Sequence, residues 1–249
     1  MNRKLAWTGA LVALLSIVSL PARAGQTLVA VAANFTAAAK EIGTAFKAKT
    51  GHTVEFSFGS TGKLYTQITQ GAPFDAFLAA DDVRPAKAEK EGYGIPGSSF
   101  TYAMGTLVLW SRTPGLVDGK GAVLKTGTFE KIAIANPATA PYGAAAVETM
   151  KAMGVYDALK PRIVEGTNIS QAHQYVASGA APLGFVALSQ VVKTAEGSRW
   201  KVPAGLYTPI RQDAVLLKHG AANPAASAFM AFLKGPEALA VIGKYGYGH

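Results

Sequence analysis

Short apolar runs taking turns with stretches of helical spacing restrict the fold of this chain more than any other feature. Thr27-Leu28-Val29-Ala30-Val31 is apolar at nearly every position, as expected of a strand buried on both faces. Phe35, Ala38, Ile42 and Phe46 then recur at helical spacing up to Gly51. Val54, Phe56 and Phe58 alternate as a second strand, and Leu64 and Ile68 mark a second, short helix. Ala76-Phe77-Leu78-Ala79-Ala80 reads as a third strand, with Asp81 or Asp82 placed to cap the segment after it. The alternation resumes after Tyr102 with Leu107-Val108-Leu109-Trp110, Ile132-Ala133-Ile134, a helix over 143–153 and Leu183-Gly184-Phe185-Val186. Amphipathic helices around 225–233 and 237–244 complete the pattern. Strands separated by helices pair in parallel and bury both sheet faces, so the pattern predicts an α/β protein with mostly parallel sheets flanked by helices. The Gly- and Pro-rich stretch 115–127 reads as a loop inside the second half and not as a linker.

The first 24 residues do not belong to this pattern. Arg3-Lys4 is followed by the apolar run Leu11-Val12-Ala13-Leu14-Leu15-Ser16-Ile17-Val18, then by Pro21 and the small-x-small triplet Ala22-Arg23-Ala24. That order is a secretory signal peptide, cleaved after Ala24. The apolar run is shorter than the roughly 20 residues a spanning helix needs. Export to the periplasm is therefore expected. Losing Arg3, Lys4 and Arg23 lowers the formal charge from +9 to +6. The remaining bases are scattered, and no nucleic-acid-binding motif occurs, so nucleic acid is not an expected partner. The chain has no Cys, which excludes thiolate metal centres, thiol nucleophiles and a lipid-modified cysteine.

In open α/β sheets, ligands bind beyond the carboxyl ends of the strands, where helices begin. Four such turns stand out: Ala32-Ala33-Asn34-Phe35-Thr36, Phe58-Gly59-Ser60-Thr61-Gly62, 136–143, and Gly166-Thr167-Asn168-Ile169-Ser170. Each offers Asn, Ser, Thr or Gly directly before a helix. Ser, Thr and Asn are also the ordinary N-capping residues, so any one turn is accounted for by capping alone. Four of them, two per half, point to a shared anion site, because a helix N-terminus presents free N–H groups and a positive dipole end. The first two turns contain no acid, and the nearest base is Lys63, read as a solvated surface residue. A pocket of donors without acceptors suits a compact, fully deprotonated dianion and disfavours hydrogen phosphate.

Catalytic motifs are missing. There is no G-x-S-x-G, H-E-x-x-H or P-loop, and His52, His173, His219 and His249 show no metal-ligand spacing. A secreted serine hydrolase assembled from Ser60, His173 and Asp75 is the enzymatic alternative, and nothing in the sequence favours it. Asp75, Asp81 and Asp82 flank a buried strand, where capping is their ordinary role.

An ordered set of segments resembles the periplasmic molybdate-binding proteins that feed molybdate ABC transporters. It comprises Ala32-Ala33-Asn34-Phe35, Phe58-Gly59-Ser60-Thr61-Gly62, 71–81, Ser99-Phe100-Thr101-Tyr102-Ala103, Asn136-Pro137 with Ala140-Pro141-Tyr142-Gly143, Pro182-Leu183-Gly184-Phe185-Val186, and Leu233-Lys234-Gly235-Pro236. The resemblance implies a two-lobed type II periplasmic binding protein fold with the ligand in the interlobe cleft. It divides the chain into 25–105 with 207–249 as lobe 1 and 106–206 as lobe 2. It implies that molybdate or tungstate is bound, with molybdenum held only as the oxyanion, by Ala33, Asn34, Thr61, Tyr142 and Ile169. Asn34 and Thr61 donate from side chain, backbone or both; Ala33, Tyr142 and Ile169 donate from the backbone. It further implies a monomer that delivers the ion to an inner-membrane ABC permease, with no cofactor and no enzymatic activity. The alternative is a binding protein for another oxyanion, sulfate or phosphate. Ala33 stands where some relatives have Thr, and Ala187 where others have Tyr, so those two hydroxyls are expected to be missing.

Overall fold

The computed structural model describes residues 24–248; the signal-peptide reading of residues 1–24 falls almost wholly outside them. Ten strands form two five-stranded sheets. They are β1 (Gln26–Ala32), β2 (Thr53–Gly59), β3 (Ala76–Leu78), β4 (Phe100–Gly105), β5 (Leu107–Ser111), β6 (Ile132–Ala135), β7 (Ile163–Gly166), β8 (Leu183–Ala187), β9 (Ser198–Lys201) and β10 (Ile210–Leu216). The first sheet has the order β2-β1-β3-β10-β4 and the second β7-β6-β8-β5-β9. Within the first, β1 pairs in parallel with β2 and β3, while β10 runs antiparallel to both β3 and β4. The second repeats the plan: β6 is parallel to β7 and β8, and β5 runs against β8 and β9. The expected parallel character thus holds for strand direction in all but one strand per sheet. The reversed strands, β5 and β10, are those that come directly after a crossing between the sheets.

Helices cover each sheet as the apolar spacing predicts. In helix Thr36–Thr50 the residues Ala38, Ile42 and Phe46 are buried, and the helix ends at Gly51, whose positive φ closes the last turn. Phe46 meets Phe229 and Phe232 of helix Pro224–Leu233 edge to face. Each of these rings contributes about 1.5–3 kcal/mol by leaving water. A second core gathers Leu107, Leu109, Ile132, Ile134, Met150 and Phe185 between the second sheet and helix Pro141–Ala152. That helix comes close because Gly143 lies directly over the end of β6. A Cβ there would fall 2.1 Å from the Ala135 carbonyl oxygen.

Two chain crossings join the sheets. Thr106 alone separates β4 from β5, and residues 202–209 separate β9 from β10. Beyond helix Pro236–Lys244 the chain returns to the first crossing, where Met104 and Gly248 exchange two backbone hydrogen bonds of 2.8 and 3.0 Å. Among the described residues, no single helix is long and apolar enough to cross a membrane.

Candidate anion-binding site

Four helix-opening turns meet between the two sheets. From the first sheet come the 3-10 turn Ala33–Phe35, after β1, and the start of helix Thr61–Thr69, after β2. From the second come the starts of helix Pro141–Ala152, after β6, and helix Ile169–Ala177, after β7. Together they line a cavity bounded by Ala32, Ala33, Asn34, Gly59, Ser60, Thr61, Ala80, Ala140, Pro141, Tyr142, Asn168 and Ile169. All five residues named from the sequence, Ala33, Asn34, Thr61, Tyr142 and Ile169, are thereby brought to one place. The cavity is small, about 10 Å³, near the least that admits a single water. No lining residue carries a charge, and Lys63 is exposed outside it.

Local hydrogen bonding leaves donors facing this cavity. The first N–H groups of a helix lack intrahelical acceptors. Asn168 caps its helix in the ordinary way, its side-chain oxygen accepting from Ser170 N at 2.9 Å and Gln171 N at 3.0 Å. That leaves Ile169 N–H as the uncapped donor of the turn. Pro141 at the first helical position has no N–H, and Gly143 N already donates to Ala140 O, so the free donor of the third turn is Tyr142 N–H. Thr61 Oγ1 accepts from Ala80 N at 3.0 Å, which turns its own proton away from that strand.

Ser60 departs from the capping rule. It occupies the N-cap position of helix Thr61–Thr69, yet its side chain makes no cap hydrogen bond. Its buried Oγ finds no hydrogen-bond partner among the described residues. Capping therefore explains Asn168 and does not explain Ser60. The hydroxyl was legible in the sequence only as one of several turn residues; its lack of a partner is a three-dimensional fact.

The carbonyl oxygens nearby are already engaged. Ala33 O accepts from Ser170 Oγ at 3.2 Å, and Asn34 O accepts from Ser189 Oγ at 2.9 Å and from Tyr247 Oη at 2.8 Å. Both serines belong to the second sheet's side, so these bonds also hold the two sides together. Gly62 N, donating to Thr139 O at 2.8 Å, adds a third link. The Asn34 side chain is likewise occupied: its Nδ2 donates to Gln212 Oε1 at 2.7 Å and to Tyr247 Oη at 3.1 Å. Of the two donor modes expected for Asn34, only the backbone N–H is uncommitted. Burial holds the phenols of Tyr102, Tyr142 and Tyr247 above the ordinary tyrosine range, so the groups packed around Asn34 and Gln212 stay neutral.

The hydrolase alternative has no geometry behind it. His173 stacks on Trp110 with centroids 5.1 Å apart, and burial lowers its pKa. Asp75 is bound by Thr27, Leu28, Asn223 and His219. Neither lines the cavity that holds Ser60. Ala187, the other position expected to lack a hydroxyl, is buried away from the cavity, its N–H donating to Gln190 Oε1.

Comparison with known proteins places the chain among relatives. Residues 27–248 match the family described as bacterial extracellular solute-binding protein. The molybdate-binding protein ModA of Rhodobacter capsulatus is 60% identical, over 94% of this chain and 93% of its own length. The protein of the same name from Azotobacter vinelandii is 57% identical, over 93% of each. Among solved structures, an Azotobacter vinelandii periplasmic molybdate-binding protein superposes with a TM-score of 0.87 at 45% identity, covering 90% of this chain and 99% of that one.

Proposed function

This chain belongs to the bacterial extracellular solute-binding proteins, and within them to the molybdate-binding proteins of ABC transporters; from that premise we propose that it captures molybdate, and tungstate with it, in the cavity between its two sheets. It is a binding protein and not an enzyme, and molybdate is its ligand, not a cofactor. The observation that carries the reading is the meeting of four helix-opening turns, two from each sheet, around a cavity with no charged lining residue.

In this reading the ion's four oxygens accept from the backbone N–H groups of Ala33, Asn34, Thr61, Tyr142 and Ile169 and from the hydroxyls of Thr61 and Ser60. A hydrogen bond to a charged group contributes about 1.5–3 kcal/mol. Five to seven of them, less the cost of association, leave roughly micromolar to nanomolar affinity without any salt bridge. The helix dipoles add to this from both sides. Because the carbonyls of Ala33 and Asn34 are already satisfied, a protonated oxyanion finds no acceptor there, which disfavours hydrogen phosphate. Sulfate carries the right charge but is smaller, so a shell spaced for molybdate leaves its bonds stretched.

The segments 25–105 with 207–249 and 106–206 are proposed as the two lobes that close over the ion, bending at Thr106 and at 202–209. Hinge closure is the usual response of such proteins to ligand. The closed, monomeric form then docks on an inner-membrane permease. Export is proposed to use the leader 1–24. A calorimetric panel of molybdate, tungstate, sulfate and phosphate tests the reading. Molybdate and tungstate should bind alike, and sulfate at least ~10-fold more weakly, about 1.4 kcal/mol. An equal response to sulfate would reject the size argument, and silence toward molybdate would reject the function.

A further inference from the structure

Gln212 is completely buried, yet it neither lines the cavity nor belongs to an apolar cluster. It lies on β10, a few residues past the second crossing, at a break in strand register. Gln212 pairs with Ala103 while the next residue, Asp213, pairs with Thr101, so Tyr102 of β4 is passed over. An extra residue of this kind re-aims side chains locally. Here it brings the Tyr102 phenol and the Gln212 amide together: Tyr102 Oη shares its one proton between Ala79 O at 2.9 Å and Gln212 Oε1 at 3.2 Å.

The two ends of the amide face opposite lobes. Oε1 accepts from Asn34 Nδ2 at 2.7 Å, on the first turn of lobe 1. Nε2 points to Tyr142 Oη at 3.5 Å, on the helix start of lobe 2. Tyr142 reaches that point only because position 105 is glycine: a Cβ there would lie 2.3 Å from Tyr142 Oη and 2.8 Å from Gln212 Nε2. Tyr142 thus spans the seam, with its side chain inserted in lobe 1 and its backbone N–H in the cavity.

We propose that Gln212 is a positioning residue that couples lobe closure to ligand retention, by clasping the Asn34 turn on one side and the inserted Tyr142 phenol on the other. The inference rests on the molybdate reading. It assigns Gln212 no contact with the ion. Its effect lies in keeping two donor turns, one per lobe, at the spacing that a four-oxygen ion requires. An encounter with open lobes precedes the clasp, so association is insensitive to it and release is governed by it.

The test uses the mature protein and radiolabelled molybdate. Capture rate is measured on mixing, release rate after a chase with unlabelled ion, and thermal stability in the absence of ligand. Gln212→Met keeps length and apolar volume and removes both hydrogen-bonding ends. Release should accelerate by ~10-fold or more, with capture within about twofold of wild type. Wild-type release from Gln212→Met, or a loss of capture and release together in step with a lower ligand-free melting temperature, overturns the proposal. Should Gln212→Met not fold, Gly105→Ala tests the same clasp. Its methyl blocks Tyr142 insertion without removing a polar group, and fast release is again the expected result, wild-type release the contrary one. Wild type is measured first: if it does not take up molybdate, the functional reading itself fails, and this proposal with it. Binding by wild type together with unaltered variants rejects the clasp alone.

Discussion

Replacing Ser60 with Ala should change binding and folding in opposite senses. In the folded chain Ser60 Oγ is buried with no partner among the described residues, and an unsatisfied buried polar atom costs about 1–3 kcal/mol. Ser60→Ala removes that atom and leaves the N–H of Thr61 in place, so the ligand-free protein should melt at or above the wild-type temperature. With molybdate bound, the same change removes a hydrogen bond to a dianion, about 1.5–3 kcal/mol, which weakens binding ~10- to ~150-fold. A thermal scan shows both effects. At a thousand times the wild-type dissociation constant, ligand stabilises wild type by about 4 kcal/mol, and a variant weakened a hundredfold by about 1.4 kcal/mol. For a chain of this size each kcal/mol moves the midpoint by ~2–4 °C, so the molybdate-induced shift should drop from ~8–16 °C to ~3–6 °C. An undiminished shift would show that Ser60 does not donate to the ion. A ligand-free midpoint several degrees below wild type would show that the hydroxyl is a structural cap after all.

The geometry yields three further expected outcomes. Small-angle scattering should record a smaller radius of gyration on adding molybdate, and an unchanged profile would count against a moving hinge. Burial alone would raise the pKa of Asp75, but hydrogen bonds from Leu28 N–H, His219, Thr27 and Asn223 outweigh it and hold the carboxyl below the usual aspartate value. Its charge therefore stabilises the fold above an unfolded pKa near ~3.9, and that contribution fades as pH falls through the lower folded value. Urea titrations should find Asp75→Asn weaker than wild type by ~1–3 kcal/mol at neutral pH, with the gap closing as acid protonates the carboxyl; a gap independent of pH contradicts the assignment. Gly143→Ala should destabilise by ~2–3 kcal/mol or more through overpacking, because its methyl meets the Ala135 carbonyl at 2.1 Å; a wild-type urea midpoint would mean the helix can retreat from β6 at no cost.

The strands and helices that keep a simple period were legible in the sequence, and so was the cluster of turns at their ends. Thr27–Val31 and Phe35–Phe46 show a single regularity each, and the structure holds them where that regularity predicts. What escaped are β4, β7, β9 and β10, and β10 shows why. Its segment Ile210-Arg211-Gln212-Asp213-Ala214-Val215-Leu216 interrupts an apolar run with three polar residues, and two of those, Gln212 and Asp213, are buried. Their partners, Asn34 and Tyr102 for the one and Thr101 for the other, lie more than a hundred positions away. No local pattern can anticipate that pairing. β4 was obscured for the same reason, since its register skips Tyr102 to meet Gln212. The site divides along the same line. Backbone donors at helix starts can be read from turn chemistry, whereas the idle hydroxyl of Ser60 and the occupied amide of Asn34 depend on neighbours that only the folded chain supplies.

The position of β10 between β3 and β4 also has a bearing on assembly. The first sheet cannot be completed by the residues that begin it, because its fourth member is made only after the whole second sheet. Until Ile210–Leu216 arrives, β3 and β4 have no common neighbour, and the inner edge of the nascent sheet stays open. The second sheet is continuous in sequence and can form from what has already emerged. While the chain is being made, its first half therefore stays unfinished until β10 has emerged, an interval in which an exposed strand edge invites aggregation.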